Sequence, residues 1–453
     1  MSGLTSYVEA LIAEITRVQA LDFMSDIDEG EFSFPGQIAA GDDRFIMTTR
    51  EMERLIELSA RELKRSNLLI SRIHTDREWI WMVRSAFGPA LMLIDLEGDP
   101  QANARTIVSE VCLAVNEYIE SYDHAEHVLG CTLFSNFEVP HFSIGPVHFE
   151  PRAAWLSRNF SEGKVNKITA RRVARAWSGQ KLRNRKPTRE SIKERHILDV
   201  IQNSTYVCSV WTEGLAAEAG RLKAQTAARL AMTGIALRWA NSSRALDGFK
   251  LQVDQPSRRQ PSITFTSNKR IIFGSNLKGM PHGPYINAER WANLLSEYQK
   301  FFQIVGEAIA YYLSADGKAP RSKLMNTFAQ ALLWFHEGCK EEIHLIALVK
   351  FSACLDTLAS GGKSNGIRSM IKARLGVPSD KPIRKDGLTM HEAVDEIYSL
   401  GRSRTIHGTN DKIGNDWSST RELAEHLARL CLLTCLEWAA DNPENSDPLA
   451  LKR

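Results

Sequence analysis

Residues 421–440 constrain the fold of this 453-residue chain more than any other segment. Leu427, Leu430, Cys431, Leu432, Leu433, Cys435, Leu436 and Trp438 give a helix here an apolar surface nearly all round. Such a helix must be covered on every side, in a bundle core or at a subunit contact. Ser418 or Ser419 can cap its start. Upstream, Phe301, Phe302, Ile304, Val305, Ala308, Ile309 and Tyr312 recur at helical spacing, then Phe328, Ala331, Leu332 and Phe335, then the run Ile343 to Leu358. The spacing predicts two or three long helices over about 300–359, and an all-α region over 286–453.

Between these helices lies Ile397-Tyr398-Ser399-Leu400-Gly401-Arg402-Ser403-Arg404-Thr405-Ile406-His407-Gly408. An arginine supplies a fixed cation and a histidine moves protons near neutral pH, a pairing suited to phosphodiester cleavage. Residues five apart on an unbroken helix point roughly 140° away from each other, at about 100° per residue. Arg402 and His407 therefore do not share a helical face. Either the helix ends between them, as the following Gly408 allows, or a second copy of the chain completes the site. Arg404, three residues before His407, shares its face. By itself an Arg-x4-His pair is equally the mark of a helix end with a surface arginine and a capping histidine.

In its setting, a helical bundle followed by one long apolar helix, the segment resembles the HEPN superfamily, specifically its Apea-like branch. The resemblance covers about 300–440 and rests on Tyr398, Leu400, Arg402, Ser403, His407 and Gly408 occurring in order. Gly401 is one residue more than the family's Leu-Arg step, and Asp356 stands where relatives carry a glutamate. The resemblance implies a metal-independent endoribonuclease without a cofactor, acting as a homodimer or higher oligomer in which the motifs of two subunits face one another. It implies 2′-OH attack on the adjacent phosphate, with proton transfer by His407, phosphate binding by Arg402 and orientation by Ser403, supported by Arg404, Asp356 and Tyr398. It further implies bacterial defence against phage or a toxin role, with RNA such as tRNA as substrate and a phage trigger or inhibitor protein as partner. A non-catalytic alternative uses the same bundle only for dimerisation and for binding RNA or protein.

The overall charge of +3 conceals a split: 11 Lys and Arg against 25 Asp and Glu in residues 1–150 leave −14 there and +17 on the rest. A polyanion is expected on the second part. Its densest cationic stretch is 164–195, where twelve Lys and Arg face only Glu190 and Glu194, a net +10. Arg171, Arg172, Arg175, Lys181, Arg183, Arg185 and Lys186 are the expected RNA-backbone contacts, and Trp177 offers a face for a base or an arginine. The competing reading is a solvated helix and loop that meets the acidic first part.

Seven cysteines at 112, 131, 208, 339, 354, 431 and 435 lack any C-x2-C pairing and read as reduced, buried thiols. Gly361-Gly362-Lys363-Ser364 resembles the end of a phosphate loop, but Thr357 occupies the first glycine position and the preceding segment reads as helix. His336, His344, His391 and His426 lack partners at metal-ligand spacing. Glu9 and Glu14 interrupt the first helix, and no stretch of about 20 apolar residues occurs, so the expected location is the cytoplasm, with no membrane partner.

Residues 1–285 are expected to be α+β. The patterning predicts helices over 1–20, 50–65 and 100–121 and strands within 28–48 and 127–150. It also predicts a hairpin from Trp79–Ser85 and Ala90–Leu96 about Gly88-Pro89. Residues 205–242 read as one or two helices, followed by strands over 248–285 with a Ser267-Asn268 turn. The cluster Gly279, Pro281, Gly283 and Pro284 marks the domain boundary, with a further split near 150.

Overall fold

The amphipathic N-terminal stretch forms helix α1 (Ser2–Gln19) in the computed structural model of the chain, which describes residues 2–20, 32–67, 69–136, 138–254, 258–265, 271–278 and 283–453. Strands β1 (Phe32–Gly41) and β2 (Arg44–Thr49) pair antiparallel. Thr49 then accepts the Met52 N–H at 3.1 Å and starts α2 (Arg50–Ser66). A short turn, α3 (Ile70–Ile73), leads to α4 (Asp76–Leu91), and Asp99 caps α5 (Pro100–Glu120). Val8, Leu11, Leu55, Trp79, Phe87 and Ile107 fill the core of this region.

Helix α4 replaces the hairpin expected from Trp79–Ser85 and Ala90–Leu96. Thr75 and Glu78 form a reciprocal capping box at its start. Gly88 is no turn residue: a Cβ there would lie 1.9 Å from the carbonyl oxygen of Ala39, so glycine lets α4 run against β1. Pro89 sits within the last turn, where the helix is about to end anyway.

The second region begins with β3 (Ala125–Thr132), β4 (Phe142–Ile144) and β5 (Val147–Pro151), followed by α6 (Arg152–Ser161), α7 (Lys167–Trp177) and α8 (Arg189–Ile201). Residues 206–212 form strand β6 (Tyr206–Thr212), not the start of a helix, because Tyr206-Val207-Cys208-Ser209-Val210-Trp211 is rich in β-formers, and it is buried on both faces except at Trp211. Then come α9 (Ala217–Ala236), α10 (Ser242–Gly248), β7 (Lys250–Leu251) and the pair β8 (Arg258–Phe265) and β9 (Ile271–Lys278). The Ser267-Asn268 turn, Gly279 and Pro281 lie outside the described residues.

The main sheet has strand order β4-β5-β6-β3-β7. Val147 pairs with Val210, Phe149 with Cys208 and Pro151 with Tyr206 across β5 and β6. Residues of this register point alternately to the two faces of the sheet: Val147, Phe149, Tyr206, Cys208 and Val210 are buried in the main core, while His148 and the buried Ser209 belong to the other face.

The C-terminal helices are α11 (Ala288–Glu297), α12 (Gln299–Leu313), α13 (Ser322–Lys340), α14 (His344–Leu358), α15 (Lys363–Leu375) and α16 (Met390–Asp395). A π-wound stretch, Glu396–Ser403, runs into α17 (Arg404–Ile406), and α18 (Ser418–Asp441) follows. Helix α18 packs against α12, α13, α14 and α15, so its all-round apolar surface is consumed inside the chain. Its N-cap is Trp417 rather than a serine, with the Ser418 side chain bonded to Asp416 at 3.0 Å.

One core joins the sheet's inner face to this bundle. Phe142 of β4 contacts Trp291 of α11 at a ring spacing of 4.8 Å, and Trp291 contacts Phe302 of α12 at 6.4 Å. Compact units accordingly comprise 1–125 with 212–222 and 314–317, and 126–211 with 223–313 and 318–453. The seven cysteines are all free thiols, six of them buried. Among the described residues no single helix is long and apolar enough to cross a membrane.

Candidate functional site

Thr389 caps α16 through a box with Glu392, and the helix then widens from α to π winding over Glu396–Ser403. A π turn accommodates one residue more than an α turn. Gly401, the additional residue of the motif, lies within this stretch. It is buried against α14: a Cβ would stand 2.5 Å from Leu348 Cδ2. A side chain at this position would force the Leu348 side chain to shift.

That approach places Arg402 beside Asp356 of α14. The guanidinium donates from Nη1 to the Tyr398 hydroxyl at 3.2 Å, lies 5.1 Å from the Tyr398 ring centre, and reaches Asp356 Oδ2 from Nη2 at 3.8 Å. Side chains of Arg402 and Asp356 remain 27% and 22% exposed, enough for a ligand to touch them. Arg402 Nε and Asp356 Oδ1 are buried with no hydrogen-bond partner. Asp356 also lines a polar cavity of about 500 Å³ with Lys323, Asn326, Gln330 and Ser360. Arg402, Tyr398 and Asp356 are thus gathered into one cluster.

His407 lies beyond it. The helix does not end between Arg402 and His407, since the His407 N–H still donates to Ser403 O at 3.0 Å. It ends just afterwards. Gly408 adopts φ +69°, Gly408 N–H bonds to Thr405 O and Thr409 N–H to Arg404 O, which together form a Schellman stop. His407 is therefore the C-cap residue, and it is exposed. Four of the five steps from Arg402 to His407 fall after the π-wound stretch, so the two side chains diverge as the spacing predicts. Among the described residues His407 has no side-chain hydrogen bond or ion pair. Ser403 is partly exposed, and Arg404 faces Asp411 at 3.7 Å. Exposed apolar Ile406 and Ile413 lie either side of His407 in sequence.

The cationic stretch divides into two groups. Arg172 holds Glu194 with Nε at 2.8 and 3.0 Å, and Arg185 reaches the same carboxylate at 3.2 Å. Glu194 is buried, 6% exposed, so these two arginines are structural clamps between α7 and α8. Arg171, Arg175, Lys181, Arg183 and Lys186 are exposed and remain open to a polyanion. One face of Trp177 is taken by the Arg152 guanidinium, 5.2 Å from the ring centre. The Gly361–Ser364 segment follows a helix, with Gly362 at φ +94° starting α15.

Two features lay outside the expectations. The π winding is signalled only by the extra Gly401. A buried His336, bonded to Thr233 at 3.0 Å, has its pKa pushed down to about 3, first by burial and then by the nearby Lys340. Comparison with protein-family models, curated proteins and solved structures finds no match.

Proposed function

We propose that this chain is a metal-independent endoribonuclease of HEPN type, acting as a homodimer whose composite site cleaves RNA, with tRNA a candidate substrate. The observation that carries the reading is the Arg402 cluster: a partly exposed cation held by Tyr398 and Asp356, five residues before an exposed histidine. Arg402 would bind phosphate oxygens through charge-assisted hydrogen bonds. His407 would move the proton of the attacking 2′-OH or of the leaving oxygen, with Ser403 orienting one of them. Because the two side chains diverge, the proton carrier and the anion binder of one scissile phosphate come from different subunits.

The open cations Arg171, Arg175, Lys181, Arg183 and Lys186 support an RNA substrate held by its backbone. A cytoplasmic role in defence against phage, or as a toxin, accords with this activity. An unrestrained ribonuclease harms its host, and the acidic first 150 residues, at −14, suit a sensor or inhibitory role.

Expression of wild type and His407→Ala in a bacterial host, followed by sequencing of RNA ends, tests the reading. New 5′ ends that appear with wild type and vanish with the variant support it. Identical RNA-end profiles would leave the bundle as a binding and dimerisation module.

A further inference from the structure

Helices α6, α7 and α8 pack on the sheet around Trp155, Val173, Ile197, Ile201 and Val207. Beside this small core a groove of about 390 Å³ opens between α8, Trp155 of α6 and Val128 of β3. That volume lies within the usual range of small-molecule sites, about 300–1,000 Å³. Its floor is apolar, formed by Val128, Trp155, Ile192, Ile197, Val200 and Ile201. Ile192 is 50% and Val200 41% exposed, so α8 leaves apolar surface open to water here.

Arg189, Lys193 and His196 stand along the same side of α8 and line the groove. Lys193 is already engaged, by Glu190 at 2.7 Å and the Lys164 carbonyl at 2.6 Å. Arg189 and His196 are exposed and have no side-chain hydrogen bond or ion pair among the described residues. In the wall, Trp155 is 4% exposed and its indole N–H is buried without an acceptor.

We infer that this groove binds a small amphipathic anion, with an apolar body on Trp155, Ile192 and Val200 and a phosphate or carboxylate head at Arg189 and His196. The floor demands an apolar body and the free cations demand negative charge. A bare ion would leave Ile192 and Val200 wet, and a neutral apolar molecule would leave Arg189 and His196 unmatched. The site does not depend on RNA cleavage, so its failure and the failure of the ribonuclease reading are separable.

Isothermal titration of the full chain with decyl phosphate, adenosine monophosphate and inorganic phosphate separates a lipid-like from a nucleotide-like source of this chemistry, and both from charge alone. One of the two organic anions is expected to bind, and Ile192→Asp and Arg189→Ala should each weaken it by about tenfold. Ile192 and Arg189 are exposed, so their variants should retain the wild-type melting temperature, which separates lost binding from lost folding. The inference is overturned if neither organic anion binds at millimolar concentration, if inorganic phosphate binds equally well, or if Ile192→Asp leaves the affinity unchanged.

Discussion

Arg402 and His407 carry different burdens, and their substitution should separate them. His407→Ala removes the proposed proton carrier and is expected to lower cleavage by about 10²–10⁴-fold, with no loss of thermal stability because the side chain is exposed and unbonded. Arg402→Ala should reduce cleavage comparably while leaving Asp356 without its cation. Arg404→Ala should cost less. Single-turnover assays on a labelled RNA check all three, and cleavage at the wild-type rate by Arg402→Ala would show that the motif is wrongly registered. Chelation with EDTA should leave the rate unchanged, since the proposed steps use only side chains of the chain and the 2′-OH.

His336 sets a pH dependence of stability rather than of activity. Its folded pKa, about 3, lies below the unfolded value of about 6.5. Between those values the unfolded chain binds a proton that the folded chain refuses, so stability is complete above about pH 6.5 and falls as the solution is acidified. His74 and His148, both lowered first by burial, act in the same direction. Denaturant melts at pH 7 and 5 should differ, and His336→Gln should remove up to about 1.4 kcal/mol per pH unit of that slope. An unchanged slope in the variant would mean that His336 is protonated in the folded protein.

At the scale of elements, the π-wound turn depends on one close contact. Gly401→Ala would press a methyl group into Leu348 at 2.5 Å, an overpacking cost of about 1–3 kcal/mol. It should lower the melting temperature and misplace Arg402, and adding Leu348→Ala should restore part of both. No recovery in the double variant would place the strain elsewhere. In the α7–α8 pair, Arg171→Glu with Arg175→Glu and Lys186→Glu should weaken RNA binding and flatten its salt dependence by up to roughly 0.7 log units per lost single-strand contact. Arg172→Glu should instead unfold the pair, because Glu194 is buried against it. Filter binding at several salt concentrations and circular dichroism distinguish the two outcomes.

The same elements show what the amino-acid pattern discloses. α12, α13, α14 and α18 were legible because their apolar residues recur at helical period over many turns. α4 was not, since Gly88-Pro89 mimics a turn; its Thr75-x-x-Glu78 box carried the correct signal. β6 was submerged in the alanine-rich run that follows it. At the site, the structure groups Tyr398 and Arg402 with Asp356 of α14, whereas the diversion of Arg172 and Arg185 to Glu194 was invisible, because pairing across 22 and 9 residues depends on tertiary packing.

For the whole molecule, the two arguments for a dimer no longer weigh equally. α18 buries its apolar surface within the bundle, so it makes no demand for a partner. The divergence of Arg402 from His407 and the exposure of Ile406 at 54% and Ile413 at 73% remain. Light scattering should show a dimer at micromolar concentration, and Ile406→Asp with Ile413→Asp should yield an inactive monomer that still melts as wild type. A monomeric wild type with full activity would defeat the composite site.

Bundle and sheet meet through Phe142, Trp291 and Phe302 in a core with no seam at residue 285. That continuity has a consequence for inheritance. A gene fragment encoding only residues 286–453 would specify helices whose sheet-facing side is bare, so this bundle is not a portable cassette. Exchange between genes could hand it on only together with β3 to β6, and because 212–222 and 314–317 belong with 1–125, no single crossover point separates the two compact units.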